Sequence, residues 1–196
     1  SYDTQGIAAS LATAGLGLST EEFEGVIFST ADGQTLAGAN GKDLLYALHR
    51  NVTLLGGSGG DAFVSTEPDT RILGGVGIDT AIFLTSAPVS FNAAASGVEV
   101  VIGGAGADVL RAGGPNGVVL DGERGNDRLV GGDGDDVFVG GPGDDKIIGG
   151  LGSDVAAYRG LRSDFQITAV AGGWQIRDLS IANGNEGRDT LSGVEA

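Results

Sequence analysis

Glycine and aspartate recur in this chain on a fixed period of nine residues. In "GGDGDDVFVGGPGDDKIIGGLGSDVAA" (131–157) a glycine pair opens each unit, at 131, 140 and 149. Aligned with Asp as the sixth residue, the units read "GERGND" (122–127), "GGDGDD" (131–136), "GGPGDD" (140–145) and "GGLGSD" (149–154). Each is followed by three residues whose middle one is apolar: Leu129, Phe138, Ile147 and Ala156. Upstream, "GANGKD" (38–43), "GGSGGD" (56–61) and "GGVGID" (74–79) recur at a spacing of 18, and "GGAGAD" (103–108) follows 29 residues beyond the last of them. Register kept through eight copies is a structural repeat rather than a run of ordinary turns.

Six turn residues followed by three strand residues, twice over, make one coil of 18. The period therefore predicts an all-β, right-handed parallel β-roll. Glycine serves because several turn residues must take positive φ. The apolar residue two after each Asp points inward, and coils stack at ~4.8 Å. One coil cannot bury its own apolar face, so stacking is obligatory. A spacing of 18 places turns 38–43, 56–61, 74–79, 103–108, 122–127 and 140–145 on one edge, with the extra residues before 103 expected as a long loop around Thr85–Ser96. The other edge then carries full motifs only at 131–136 and 149–154. Its earlier turns are degenerate, with Gln34, Val52 and Thr70 in the Asp slot, and "AGGPNGV" (112–118) has no aligned acid.

The period ends at 157. Beyond it, alternating apolar residues predict strands at Phe165–Val170 and Trp174–Asp178 joined by a Gly-Gly turn, a hairpin that caps the exposed end of the roll near Val155 and Ala157. The expected organisation is an N-terminal strand and irregular coil (1–28), the roll (29–157) and capping strands (158–196). A start at Ser1 without Met and an end at "GVEA" point to a piece of a longer protein.

Composition fits this reading. Glycine supplies 38 of 196 residues, yet with only four prolines and no G-X-Y period the chain is not collagen. A net charge of −15 repels nucleic acid and anionic membranes and attracts cations. No cysteine is available for disulfides or thiolate metal sites, and no apolar run is long enough to span a bilayer as a helix.

The Asp at the end of each turn has a chemical use. Hard divalent ions want about six to eight oxygens, and Ca²⁺ accepts backbone carbonyls beside carboxylates. A glycine-rich turn offers carbonyls, its Asp offers charge, and two turns stacked on one edge make a cage of about six oxygens. Mg²⁺ demands a smaller octahedron and Zn²⁺ prefers His or Cys.

The repeats resemble the RTX (repeats-in-toxin, haemolysin-type) calcium-binding β-roll, with its GGxGxDxUx pattern, over residues 29–157, and the segment from "SDVAAYRG" (153–160) to "GVEA" resembles the strand flap that follows such repeats. The resemblance implies a ligand set: carbonyls of the second and fourth residues and the Asp of one turn, with carbonyls of the first and third residues and the Asp of the next. Carried over, Gly132, Gly134 and Asp136 join Gly149, Leu151 and Asp154. Glu123, Gly125 and Asp127 join Gly140, Pro142 and Asp145. Upstream, Ala39, Gly41 and Asp43 join Gly56, Ser58 and Asp61, and Gly57, Gly59 and Asp61 join Gly74, Val76 and Asp79. With the loop placed as above, Gly75, Gly77 and Asp79 join Gly103, Ala105 and Asp108, and Gly104, Gly106 and Asp108 join Gly122, Arg124 and Asp127. This gives about six Ca²⁺ ions. Glu123 stands where the pattern has glycine, and "GANGKD" lacks the second glycine.

The resemblance further implies a module of a larger secreted or cell-surface bacterial protein, exported by type I secretion machinery and folding on calcium outside the cell, with no nucleic-acid partner and no membrane insertion. The alternatives are a surface-layer or adhesin segment touching glycans or neighbouring surface proteins, and a β-helix polysaccharide-modifying enzyme. The enzyme reading has only the Tyr46, His49 and Arg50 cluster behind it, and one histidine in a degenerate turn is the ordinary condition of a structural side chain. No Ser-His-Asp arrangement, phosphate loop or zinc helix motif is present, so the chain is read as a non-enzyme. Arg162, Arg188 and the acids near them, in "GLRSD" and "GNEGRD", are read as surface pairs.

Overall fold

The computed structural model describes residues 23–180 and 185–195. It is a parallel solenoid with two walls. Strands β1 (Gly25–Phe28), β3 (Asp43–Ala47), β5 (Ala62–Ser65), β7 (Thr80–Phe83), β9 (Val100–Ile102), β11 (Val119–Asp121), β13 (Val137–Val139) and β15 (Val155–Ala156) stack in that order as one eight-stranded sheet. The facing wall begins with β2 (Thr35–Ala37), β4 (Thr53–Ser58) and β6 (Arg71–Val76). It continues in a separate sheet with β8 (Ser90–Asn92), β10 (Val109–Arg111), β12 (Arg128–Val130) and β14 (Lys146–Ile148).

Register puts like on like. Leu45, Phe63, Ala81, Val101, Leu120, Phe138 and Ala156 pair in succession along the first wall. Leu36, Leu54 and Ile72 do so on the second, and Phe91, Leu110, Leu129 and Ile147 continue it. All of these except Ala156 are buried in one core, against which Ala156 packs. The residue two after each Asp thus points inward, as the period predicts. A second cluster, Leu44, Tyr46, Ala62, Val64 and Ile82, is buried on the outer face of the first wall, so its N-terminal strands carry apolar residues on both faces. That explains the unbroken "LLYAL" and "AFV" runs, which the one-sided period does not predict.

The expected long loop at Thr85–Ser96 is absent, and this changes which turns are neighbours. The 29 residues from Asp79 to Asp108 are three half-coils of ten, ten and nine residues, ending at Val89, Glu99 and Asp108. An odd number of half-coils moves Asp108 to the edge opposite Asp79. Strand β7 and the proline turn 84–89 fill the first half-coil, and in the second β8 is followed by the short helix α1 (Ala93–Ser96), closed by left-handed Gly97 (φ 61°), in place of a glycine turn. One edge therefore carries Asp43, Asp61, Asp79, Glu99, Val118, Asp136 and Asp154. The other carries Gln34, Val52, Thr70, Val89, Asp108, Asp127 and Asp145.

After the roll, β16 (Phe165–Val170) and β17 (Gly173–Asp178) form the expected antiparallel hairpin. Its placement differs from the expectation. Val155 faces outward and is exposed, so it gives the hairpin no apolar seat. Instead β18 (Arg188–Ser192) returns to pair in parallel with β14, adding one more rung, and β17 pairs antiparallel to β18. Phe165, Ile176 and Leu191 are buried in the main core while Ile167 stays 38% exposed, so only part of the alternating face is covered.

Truncation after Tyr158 removes that rung and bares the β14 edge. Loss of three buried large side chains should cost several kcal/mol at ~2–4 kcal/mol each, lower the thermal midpoint and promote association. A truncated chain that remains monomeric in sedimentation with an unchanged midpoint would contradict the capping role.

Candidate metal sites along the two edges

Each of the eight repeat turns ends in a buried aspartate, and in all but Asp43 one carboxylate oxygen accepts an amide N–H of the coil before it. The amide N–H of Asp43 donates to Asp61 Oδ1 at 2.8 Å, and that of Asp61 to Asp79 Oδ1 at 2.8 Å. On the other edge Asp108 donates to Asp127 Oδ1 and Asp127 to Asp145 Oδ1, both at 2.7 Å. Asp136 donates to Asp154 Oδ1 at 2.9 Å. One carboxylate oxygen thus replaces a ladder acceptor at the point where the turn becomes a strand.

The second oxygen, Oδ2, turns back into its own turn. In Asp43, Asp108 and Asp136 it accepts the N–H of the turn's second residue, from Ala39, Gly104 and Gly132 at 2.7–2.9 Å. In Asp61, Asp79, Asp127, Asp145 and Asp154 it is buried without a hydrogen-bond partner. A buried charged oxygen left without a partner is costly, and native proteins rarely tolerate it unless an ion or proton sits there.

Backbone carbonyls face the same gaps. A methyl group at Gly59 would collide with the carbonyl oxygen of Gly41, one at Gly77 with that of Gly59, and one at Gly152 with that of Gly134. Carbonyls of the fourth turn residue therefore project along the stack. From the other side, a methyl at Gly38, Gly56 or Gly131 would meet the carbonyl oxygen of Gly56, Gly74 or Gly149, the first residue of the next turn. Positive φ at Gly59 (125°) and Gly77 (145°) accompanies this close approach. Glu123 adopts φ 64°, so the departure from glycine there keeps the turn shape.

Five of the six expected groupings are brought together. Gly41 N–H donates to the Ser58 carbonyl at 2.7 Å and Gly59 N–H to the Val76 carbonyl at 2.8 Å, beside the Asp43–Asp61 and Asp61–Asp79 pairs. Arg124 N–H reaches the Gly104 carbonyl at 3.2 Å, Gly125 N–H the Pro142 carbonyl at 3.2 Å and Leu151 N–H the Gly132 carbonyl at 3.0 Å. The sixth is not formed. Gly75, Gly77 and Asp79 do not meet Gly103, Ala105 and Asp108, because three half-coils separate them. Asp79 N–H donates instead to Glu99 Oε2 at 2.9 Å, and Ala105 N–H to the Thr85 carbonyl at 2.7 Å.

Sequence reasoning missed three acids that occupy the Asp slot: Glu99, Asp189 and Glu195. Asp145 N–H donates to Asp189 Oδ1 at 2.8 Å, and Asp154 N–H donates to Glu195 Oε2. A signal was present in the string "SGVE", which occurs at 96–99 and again at 192–195. In both copies its glycine is left-handed (φ 61° and 62°) and its Glu reaches the amide that an Asp would otherwise reach.

Burial pushes the carboxyl groups of Asp61, Asp79, Asp108 and Asp154 up, and those of Asp127, Asp145 and Asp189 to about 7, with neighbouring carboxylates adding to the shift in all of these but Asp108. Among the described residues no three carboxylate or imidazole side chains form a cluster able to hold a metal alone. A cation here would draw on two carboxylates per gap and take its other oxygens from carbonyls, which suits Ca²⁺ better than Zn²⁺.

The Tyr46, His49 and Arg50 cluster disperses into separate contacts. Tyr46 is buried and stacks on Phe28 at 5.4 Å, His49 Nδ1 lies 3.0 Å from Ser29 Oγ, and Arg50 pairs with Glu67 at 3.6 Å. Arg188 likewise belongs to a roll turn, its N–H donating to Asp144 Oδ1 at 2.9 Å.

Among known families, the RTX calcium-binding nonapeptide repeat matches in four copies, over residues 94–114 and 121–156. No curated protein matches the chain. The matched segments contain the turns at 103–108, 122–127, 131–136, 140–145 and 149–154, and the three upstream turns share their geometry. The matched nonapeptide repeats and the stacked parallel coils together support an RTX β-roll module.

Proposed function

We propose that the roll binds calcium in the inter-turn gaps and folds on doing so, as a module of a larger protein secreted by a bacterial type I system. The observation that carries this is the set of five buried Oδ2 atoms without partners, in register along both edges. Five gaps have a full set of donors: Asp43/Asp61, Asp61/Asp79 and Asp136/Asp154 on one edge, Asp108/Asp127 and Asp127/Asp145 on the other. Stacked aspartates at the coil spacing repel by roughly 3 kcal/mol per pair at an effective dielectric of about 20. Calcium offsets that repulsion, so its binding free energy becomes folding free energy. A polypeptide that stays unfolded at low calcium and folds at high calcium suits export as an extended chain. Among the described residues no helix is long and apolar enough to cross a membrane.

A second reading, as a surface-layer or adhesin segment, has one observation in its favour. Val76 and Ile78 project from the 74–79 turn at 74% and 73% exposure, an apolar patch on the roll's edge. A glycan-binding screen and a self-association assay of the folded module distinguish it from the first.

Three outcomes are expected. Far-UV circular dichroism should pass from a disordered to a β-type spectrum as free calcium rises, and a β-type spectrum unchanged in excess chelator would refute the calcium reading. At saturation, Asp61→Ala should lose two ions, because Asp61 borders two full gaps. Asp154→Ala and Asp79→Ala should lose one each, and equal losses in all three variants would refute the edge assignment.

The third concerns pH. Carboxyl groups raised to about 7 at Asp127 and Asp145 mean that the metal-free fold holds protons that the unfolded chain releases near pH 4. That fold is therefore favoured in acid and loses stability as pH rises through about 7. Calcium bound to the folded chain must displace those protons. In excess chelator, far-UV circular dichroism should therefore show more β-type structure at about pH 5.5 than at about pH 8, and a spectrum that does not change with pH would count against protonation of these carboxylates in the fold.

A further inference from the structure

The rung supplied by the C-terminal segment reproduces a repeat turn, although it lies 44 residues beyond the turn it stacks on. Asn185 takes φ 56° where Glu123 takes 64°, in the second turn position. Gly187 occupies the fourth, and a methyl group there would collide with the Gly143 carbonyl oxygen, as one at Gly143 would with the carbonyl of Gly125. Arg188 N–H donates to Asp144 Oδ1 at 2.9 Å, as Asp144 N–H donates to Asn126 Oδ1 at 3.0 Å. Asp189 occupies the sixth position.

We propose that this turn and turn 140–145 hold a further divalent cation of the calcium type, which fastens the C-terminal hairpin to the roll. The proposal rests on the calcium reading above. Its donors are Asp145, Asp189, the Gly143 carbonyl and Glu186. Asp145 Oδ2 and Glu186 Oε2 are buried and without hydrogen-bond partners, in residues that are each 2% exposed. Asp189 is 1% exposed. The three acids do not close into a carboxylate cluster by themselves, so this gap, like those of the roll, depends on backbone oxygen. Glu186 is held in place by its own N–H, which donates to Asp178 Oδ2 at 2.9 Å at the end of β17. A cation in this gap therefore touches the roll at Asp145 and the hairpin's return strand at Asp189. It sets the order of docking: the hairpin seats only when the ion is present, and the last coil is then sealed.

Trp174 is the single tryptophan of the chain and packs against the core from the hairpin. Its emission reports docking of this segment, while far-UV circular dichroism reports the whole roll. In one calcium titration of the full chain, Asp189→Asn and Glu186→Gln should each lower the number of bound ions by one. Each should shift the Trp174 midpoint to about tenfold higher calcium or more, while the main circular dichroism midpoint moves less than about twofold. Glu186→Gln keeps the inference testable should Asp189→Asn fail to fold. Both the wild-type ion count and the wild-type Trp174 midpoint in Glu186→Gln would overturn the site while leaving the roll's calcium binding intact. A wild-type chain whose circular dichroism ignores calcium would overturn the underlying reading as well.

Discussion

Along most of this fold, register hangs on a carboxylate oxygen bonded to the amide of the coil before it. Each turn ends where a tight six-residue loop must become a strand. There the ladder lacks a main-chain acceptor, and Asp Oδ1 supplies one at 2.7–2.9 Å. The bond fixes register between coils to a single residue. With register fixed, inward side chains fall into columns of like on like, and two thin walls close on one core. The cost is a line of buried negative charge along both edges. Hydrogen bonds to one oxygen of each group do not neutralise it, because they leave Oδ2 buried and in five turns without a partner.

That conflict between packing and charge is what the calcium switching proposed above would relieve. A helix bundle of this size would stand on its apolar core alone. Here the strands are three residues long through most of the roll, and the core is one layer of Leu, Ile, Val and Phe side chains. Such a core is thin beside the repulsion of stacked carboxylates, which is the physical ground for the calcium-dependent folding proposed above. Glu99 and Glu195 mark the ends of two stretches of the same edge. Their longer side chains make the register bond across a turn that has "SGVE" in place of the glycine-rich loop.

The repeats were legible because glycine at positive φ and Asp at the slot are both chemically obligatory, so the pattern survives in the letters. His49, by contrast, carries no such constraint, and its contact with Ser29 could not be read from its neighbours. Asp189 was readable in principle, since "GNEGRD" fits the turn pattern with Asn in place of the second glycine. A hairpin inserted between it and Asp145 hides the period. The same holds for the outer cluster around Leu44, Tyr46 and Val64: an apolar run says that a strand is buried on both faces, not what lies against it.

The sequence alone determined the unit of structure, its inward residue and the chemistry of its turns, because each depends on residues fewer than ten apart. Which turns become neighbours was decided only in three dimensions. Between Asp79 and Asp108 the letters allow either one coil with a loop or three half-coils. Val89 and Glu99 take the Asp slot without the glycine signature, since a proline turn and a short helix can span the edge equally well. Parity then follows from packing: Phe91 must enter the core beside Leu110, and Val101 beside Ala81 and Leu120. Burying those side chains sends Asp108 to the opposite edge, and with it the choice of which carboxylates can share an ion.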